Sequence, residues 1–260
     1  HSPFMPGVLH ASPPNCYRCD FRQTFPACDL LCADQIGQMI EYENPDTVAA
    51  VIAEPISAAN GIVVPPEGYW PRLREICDKH GVLLITDEVI NGFGRTGKMF
   101  ASEHFNVVGD MMTMAKGLTS GYVPMGGVMC RPHVVEAFGG ANLVSHLLTY
   151  GGHPVAAAAA LANLEIMERE DLPGNAARMG TILLEGLNAL RGKHPTVGDV
   201  RGLGLIAGVE VVRDRGTKEK FTSGGPELTS LANAVRERGL LTRADTIINI
   251  CLLYTSPSPR

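Results

Sequence analysis

Residues 83–100 read LLITDEVINGFGRTGKMF, and the interpretation of this stretch decides the fold. A short apolar run over 82–86 ends in the acidic pair Asp87-Glu88, and a glycine-rich segment follows. Two nucleotide-binding patterns overlap there. Gly92-Phe93-Gly94-Arg95-Thr96-Gly97 has the spacing of a dinucleotide fingerprint, and residues 92–98 carry most of a P-loop. The fingerprint must start directly at the strand end, because its first Gly makes the tight turn that aims a helix N-terminus at the pyrophosphate. Here residues 87–91 intervene. A P-loop needs Ser or Thr after its Lys to ligate magnesium, and Met99 stands there instead. Both nucleotide readings fail on context. What is left is a buried strand that delivers a carboxylate pair to its carboxyl end, where parallel α/β sheets place their ligands.

The same grammar repeats on either side. Residues 48–53, VAAVIA, are a short apolar run ended by Glu54-Pro55 and predict a buried strand. Residues 71–80 predict a helix with Leu73, Ile76 and Cys77 on one face and Gly81 as its stop. Strand, helix and strand at this spacing predict a βαβ unit, hence an α/β fold with a mostly parallel sheet. The short apolar runs 111–115 and 126–130 extend that sheet to at least four strands. Beyond Tyr150-Gly151-Gly152, the Ala-rich run 156–170 predicts a helix ended by Pro173-Gly174, and 177–190 a second one. A strand over 202–212, a helix over 226–238 and the start of a strand over 239–242 then predict a second, smaller α/β unit. Residues 251–260, CLLYTSPSPR, break the pattern and read as a tail foreign to the fold. The expected organisation is part of a large domain over 1–165 and part of a small C-terminal domain over 166–250.

Composition narrows the function. The 260 residues are 45% hydrophobic with a formal net charge of -5, enough for a sizeable core and without a positive field for nucleic acid. No stretch approaches the roughly 20 apolar residues of a membrane span. The first residues, HSPFMPGVLH, lack the charged and apolar regions of a signal peptide. A cytoplasmic protein with neither nucleic acid nor membrane as partner is expected. The chain opens without Met in a Pro-rich stretch, so an N-terminal truncation is expected as well. Cys16, Cys19, Cys28 and Cys32 have spacings that would suit a zinc or iron–sulfur site. No His lies among them and the intervening segment reads as irregular, so no metal is assigned.

The apolar run 111–115 ends in Lys116-Gly117, which places Asp87 and Lys116 on the same edge of the sheet. An arbitrary Asp and Lys there would be a sheet-edge ion pair. Lys116, however, is flanked by Met114, Ala115 and Gly117 rather than by the polar neighbours of a solvated lysine. Around these two residues stands an ordered set of motifs: Ala53-Glu54-Pro55-Ile56, Val64-Pro65-Pro66-Glu67-Gly68-Tyr69, Asp87-Glu88-Val89, Gly92-Phe93-Gly94-Arg95-Thr96-Gly97, Ala115-Lys116-Gly117 and Thr149-Tyr150-Gly151-Gly152-His153-Pro154. In order and spacing, from about residue 48 to 250, the set resembles the class III pyridoxal-phosphate-dependent aminotransferases.

That resemblance implies the chemistry. The lysine matching Lys116 forms the Schiff base with pyridoxal 5'-phosphate and then moves the proton, which requires it to shed its charge, as an apolar site promotes. The carboxylate matching Asp87 pairs with the pyridine nitrogen and keeps the ring an electron sink. Val89, two residues on and so on the same strand face, packs on the ring. Glu54 lies near the ring, and Thr149 reaches the cofactor phosphate of the neighbouring subunit, which implies a homodimer with shared sites. The glycine-rich stretch is then an active-site loop whose glycines permit tight turns. Relatives that handle 2-oxoglutarate often carry an acidic residue and an arginine where Ala59 and Asn249 stand. Their replacement shifts the expected reaction to transfer from an amine or ω-amino acid to a keto acid such as pyruvate. A same-fold aminomutase and a noncatalytic, metal-stapled binding protein are the alternatives. The family's upstream phosphate loop and ring-stacking aromatic residue are not in this sequence, so weak cofactor binding, or none, by the isolated chain is expected.

Overall fold

A computed structural model describes residues 5–139, 144, 146 and 148–251, the side chains of Arg243 and Ala244 excepted. Helix α1, Leu31–Tyr42, was not anticipated: its first turn follows the irregular cysteine segment and it has no side-chain cap. Its buried Ala33, Ile36 and Ile40 recur at helical spacing and meet the next helix in one core cluster. Strand β1, Ala50–Ala53, leads through a long turn to α2, Tyr69–His80, which Gly81 ends in the left-handed conformation. Strands β2, Leu83–Asp87, and β3, Met111–Met114, follow, then β4, Gly127–Cys130, and the single-turn helix α3, Pro132–Val135. The sheet order is β1-β2-β3-β4. The first three strands are parallel and β4 is antiparallel, so the sheet is mostly parallel with a reversed edge. Apolar runs alone do not encode that direction.

The core beneath this sheet is built on α1 and α2. Trp70, Leu73 and Cys77 are almost wholly enclosed against Leu84 and Val107, and Trp70 Nε1 donates to the Pro55 carbonyl at 3.2 Å. Asp110 anchors the start of β3 by accepting from Leu84 N at 2.7 Å and from Arg74 at 2.8 Å. Burial alone would raise its carboxyl, but the Leu84 N–H and the Arg74 guanidinium outweigh it and hold it below the ordinary value.

Helix α4, Pro154–Arg169, and α5, Leu172–Lys193, cross to a second sheet. Pro173-Gly174 does not end α4; both residues lie in the first turn of α5, where Pro removes only an N–H without a helical partner. Asp171 caps that turn by accepting from Gly174 N at 3.1 Å, and any Cβ at position 174 would collide with its carboxylate. The expected single strand over 202–212 is a hairpin instead. Strand β5, Val197–Leu203, turns at Gly204-Leu205 into β6, Ile206–Asp214. Gly204, at φ +58, supplies the reversal that an apolar run conceals. Strand β7, Glu219–Lys220, α6, Pro226–Glu237, β8, Arg243–Ala244, and β9, Ile247–Cys251, complete the unit, which orders as β5-β6-β9-β8 with β7 on β6. The strand expected over 239–242 therefore begins at Arg243, and Cys251, expected in the tail, closes β9 opposite Ile206. The rest of that tail, 252–260, lies outside the described residues.

A buried ion network joins this second unit to the rest of the chain. Glu210 is enclosed between Arg18 and Arg201; Arg201 also pairs with Asp199 at 2.8 Å and donates through Nε to the Gly61 carbonyl at 2.9 Å.

Candidate active site at the carboxyl ends of the parallel strands

Strands β1, β2 and β3 run in one direction with Ala53 opposite Thr86 and Asp87 opposite Thr113. Their exits, Glu54, Asp87 and Lys116, consequently leave the same sheet edge. Asp87 is half-buried and fixed through a single oxygen: Oδ1 accepts from Val89 N and from Thr113 Oγ1, both at 3.0 Å. No hydrogen bond among the described residues engages its Oδ2. Glu54 is half-buried and accepts from Ser57 Oγ at 3.3 Å. Burial pushes its carboxyl above the ordinary value and the charge of Asp87 adds to that, while the Ala58 N–H, the Ser57 hydroxyl and the Lys116 charge work against it. Asp87 and Lys116 thus both act on Glu54 across a single edge.

Lys116 is exposed, in a backbone that L-residues avoid, with φ +39. It opens a short 3-10 turn, Lys116–Thr119, after a fully extended Ala115. Two contacts hold the turn. Beneath it, a Cβ on Gly117 would lie 2.8 Å from Phe93 Cβ, so only glycine lets the turn approach the glycine-rich loop. Behind it, Asn163 of α4 donates through Nδ2 to the carbonyls of Gly117 at 2.8 Å and Leu118 at 3.1 Å. Sequence reading singles out neither Thr113 nor Asn163. A lone amide in an Ala-rich helix was the available signal.

Val89 corrects an expectation. Strand β2 ends at Asp87, so alternation does not put Val89 on the same strand face; it sits in the following turn, tied back by its own N–H to Asp87. Glu88 points away into the protein and is wholly buried, where it accepts from Ala101 N at 3.1 Å and Ser102 N at 2.8 Å. Burial raises its carboxyl against the pull of those N–H groups. The glycine-rich stretch is a close-packed junction. Phe93 N and Gly94 N both donate to the Met99 carbonyl, Gly97 leaves 3.0 Å between its absent Cβ and Ala177, and Gly204 of the β5–β6 turn rests on Thr96. Its glycines serve tight turning and close approach, as expected once a dinucleotide was set aside.

Thr149 is exposed in a turn closed by Gly151 N on the Leu148 carbonyl. No hydrogen bond among the described residues joins its side chain to Glu54, Asp87 or Lys116. Cys16, Cys19, Cys28 and Cys32 line one small apolar cavity as free thiols. Burial, reinforced by the nearby Cys16, pushes Cys32 up to about 11, and no group of three His, Cys, Asp or Glu among the described residues could hold a metal ion.

This arrangement of sheet and helices is that of a transaminase. It superposes with a TM-score of 0.88 on an (S)-enantioselective omega-transaminase from Thermomicrobium roseum at 43% identity, over 95% of this chain and 56% of that one. The chain belongs to the family Aminotransferase class-III, whose signature matches residues 1–255. The taurine–pyruvate aminotransferase of Bilophila wadsworthia is 44% identical over 248 residues, 93% of this chain and 53% of that protein. An amine transaminase from an uncultivated Pseudomonas species, in its PLP-bound internal aldimine form, matches at a TM-score of 0.87 and 42% identity over 91% of this chain and 55% of that one. The chain spans about half the length of the curated relatives it matches. Pyridoxal 5'-phosphate is the cofactor of the family.

Proposed function

We propose that this chain supplies the reactive lysine and the ring-binding carboxylate of a transaminase that moves an amino group from an amine or ω-amino acid to a keto acid such as pyruvate. The observation that carries the reading is the meeting of Glu54, Asp87 and Lys116 at one strand edge, with Asp87 held so that Oδ2 is left to accept a further hydrogen bond. This donor set suits the cofactor: a primary amine for its carbonyl carbon and a carboxylate for its pyridinium N–H. Bound there, pyridoxal phosphate supplies an electron sink for the carbon that bears the amino group.

The chain's own residues do the rest. Asp87 would hold the ring nitrogen through Oδ2, and the Thr113 hydroxyl with the Val89 N–H keeps that carboxylate oriented. Lys116 Nζ anchors the cofactor and carries the proton at the reacting carbon. Val89 would pack on the ring, and Glu54, with its raised carboxyl, would lie near it. Thr149 completes a phosphate site across a homodimer interface, where a hydroxyl binds phosphate oxygens without adding charge. The compartment is the cytoplasm; no helix among the described residues is long and apolar enough to cross a membrane. The two sheets support a division into a cofactor-binding part over 1–165 and a smaller part from 166 on, with Cys251, the first residue of the expected tail over 251–260, inside the second sheet.

The test is reduction of the cofactor-loaded whole protein with borohydride, followed by peptide mapping. The adduct is expected on Lys116 and absent from Lys116→Ala, together with transfer from taurine or an aliphatic amine to pyruvate. An adduct retained on another lysine refutes the assignment.

A further inference from the structure

We infer that Asn163 is a positioning residue for Lys116, acting from α4 through the turn that follows the lysine; this rests on the reading of Lys116 as the cofactor lysine. The face of α4 that meets that turn is apolar at Ala160, Leu164 and Met167, which join Leu118 and Phe93 in one cluster. Asn163 is the polar side chain on this face. It spans 46 and 45 residues of sequence to donate to two consecutive carbonyls, those of Gly117 and Leu118.

Within the turn itself, Gly117 O also accepts the Ser120 N–H at 3.3 Å. One amide on two adjacent peptide planes fixes the orientation of both. Orientation matters here because Lys116 stands at φ +39, a conformation that persists only where its surroundings enforce it. Phe93 under Gly117 limits how far the turn can sink, and Asn163 limits how far it can lift. Released from Asn163, the turn relaxes, Lys116 returns toward negative φ, and its Cα–Cβ bond changes direction at the sheet edge.

The test compares loss and retention of the donor in the whole protein. Asn163→Asp keeps the shape but presents carboxylate oxygens to carbonyl oxygens; Asn163→Leu removes the donor without adding charge and covers the case in which that carboxylate prevents folding. Asn163→Gln keeps an amide. Each cofactor-free protein is mixed with pyridoxal phosphate, and the rate of adduct formation on Lys116 is read by borohydride trapping, with thermal midpoints as the folding control. Both loss variants should form the adduct about ten- to a hundredfold more slowly, the cost of a displacement near 1 Å. They should also lower kcat with little change in KM for pyruvate and shift the pH midpoint of the violet absorbance band, and Asn163→Gln should recover most of the rate. A role in stability alone would lower the thermal midpoint and leave the trapping rate and the band unchanged. A folded loss variant that traps at the wild-type rate overturns the inference. If Lys116→Ala still carries the adduct, the reading of Lys116 has failed instead.

Discussion

Gly117→Ala isolates the contact beneath Lys116, the lysine proposed to hold the cofactor. Its Cβ would stand 2.8 Å from Phe93 Cβ, 3.2 Å from Cδ2 and 3.3 Å from Cγ. Ordinary carbon contact begins near 3.4 Å, so loop and turn must separate by at least about 0.6 Å. Phe93 cannot yield by a rotamer change, because the nearest atom is its own Cβ. It is also 3% exposed, packed against Phe100 at 5.5 Å between ring centroids. The separation therefore falls largely on the Lys116 turn. Overpacking of this kind costs about 1–3 kcal/mol of stability, and a displacement of the lysine by a sizeable fraction of an ångström slows its chemistry about ten- to a hundredfold. Urea unfolding and borohydride-trapping rates of the whole protein measure the two separately. Phe93→Gly removes the clashing Cβ and suits the φ of +64 at that position. In a double-mutant cycle the combined loss should thus be smaller than the sum of the single losses by the clash energy. Additive losses, or a Gly117→Ala protein with unchanged stability and trapping rate, would show that the turn does not rest on Phe93.

Asp110→Asn should destabilise the whole protein by about 1–3 kcal/mol at neutral pH, since charge-assisted bonds to Arg74 and Leu84 N weaken. The Asp110 carboxyl lies below its ordinary 3.8 in the folded state, so its contribution is present above that pH and lost as pH falls through the folded value. Denaturation at pH 7 and pH 3 checks the sign: the gap between wild type and variant should narrow in acid, and a gap that widens contradicts the pairing. For Thr149, mixing whole-protein subunits bearing Lys116→Ala with subunits bearing Thr149→Ala should partly restore activity, because a heterodimer gathers both lesions in one site and leaves the other intact. Mixed dimers as inactive as both parents would place the threonine in its own subunit's site.

Strand ends were legible because everything that defines them is local. The apolar runs before Glu54, Asp87 and Lys116 and the breaks that follow fall within a few residues of each other, so the edge shared by these side chains followed from sequence. Helix α2 was legible for the same reason, with Leu73, Ile76 and Gly81 marking its face and its stop. The hairpin at Gly204 was hidden, since an apolar run looks the same whether it continues or reverses, and Pro173 was ambiguous, since proline suits both the end of one helix and the first turn of the next. Val89 lost its strand face because β2 stops at Asp87, where a side-chain hydrogen bond takes over from the ladder. The reversed direction of β4 depends on chain reversal in space. So do the two carbonyls that Asn163 reaches and the fit of Gly117 over Phe93, since the partners are brought together only when α4 and the glycine-rich loop close on the turn behind Lys116. Sequence alone decided which residues leave the sheet edge, because periodicity and turn chemistry act between neighbours; tertiary structure alone decided what holds the lysine there, because those partners meet only after the chain has folded back.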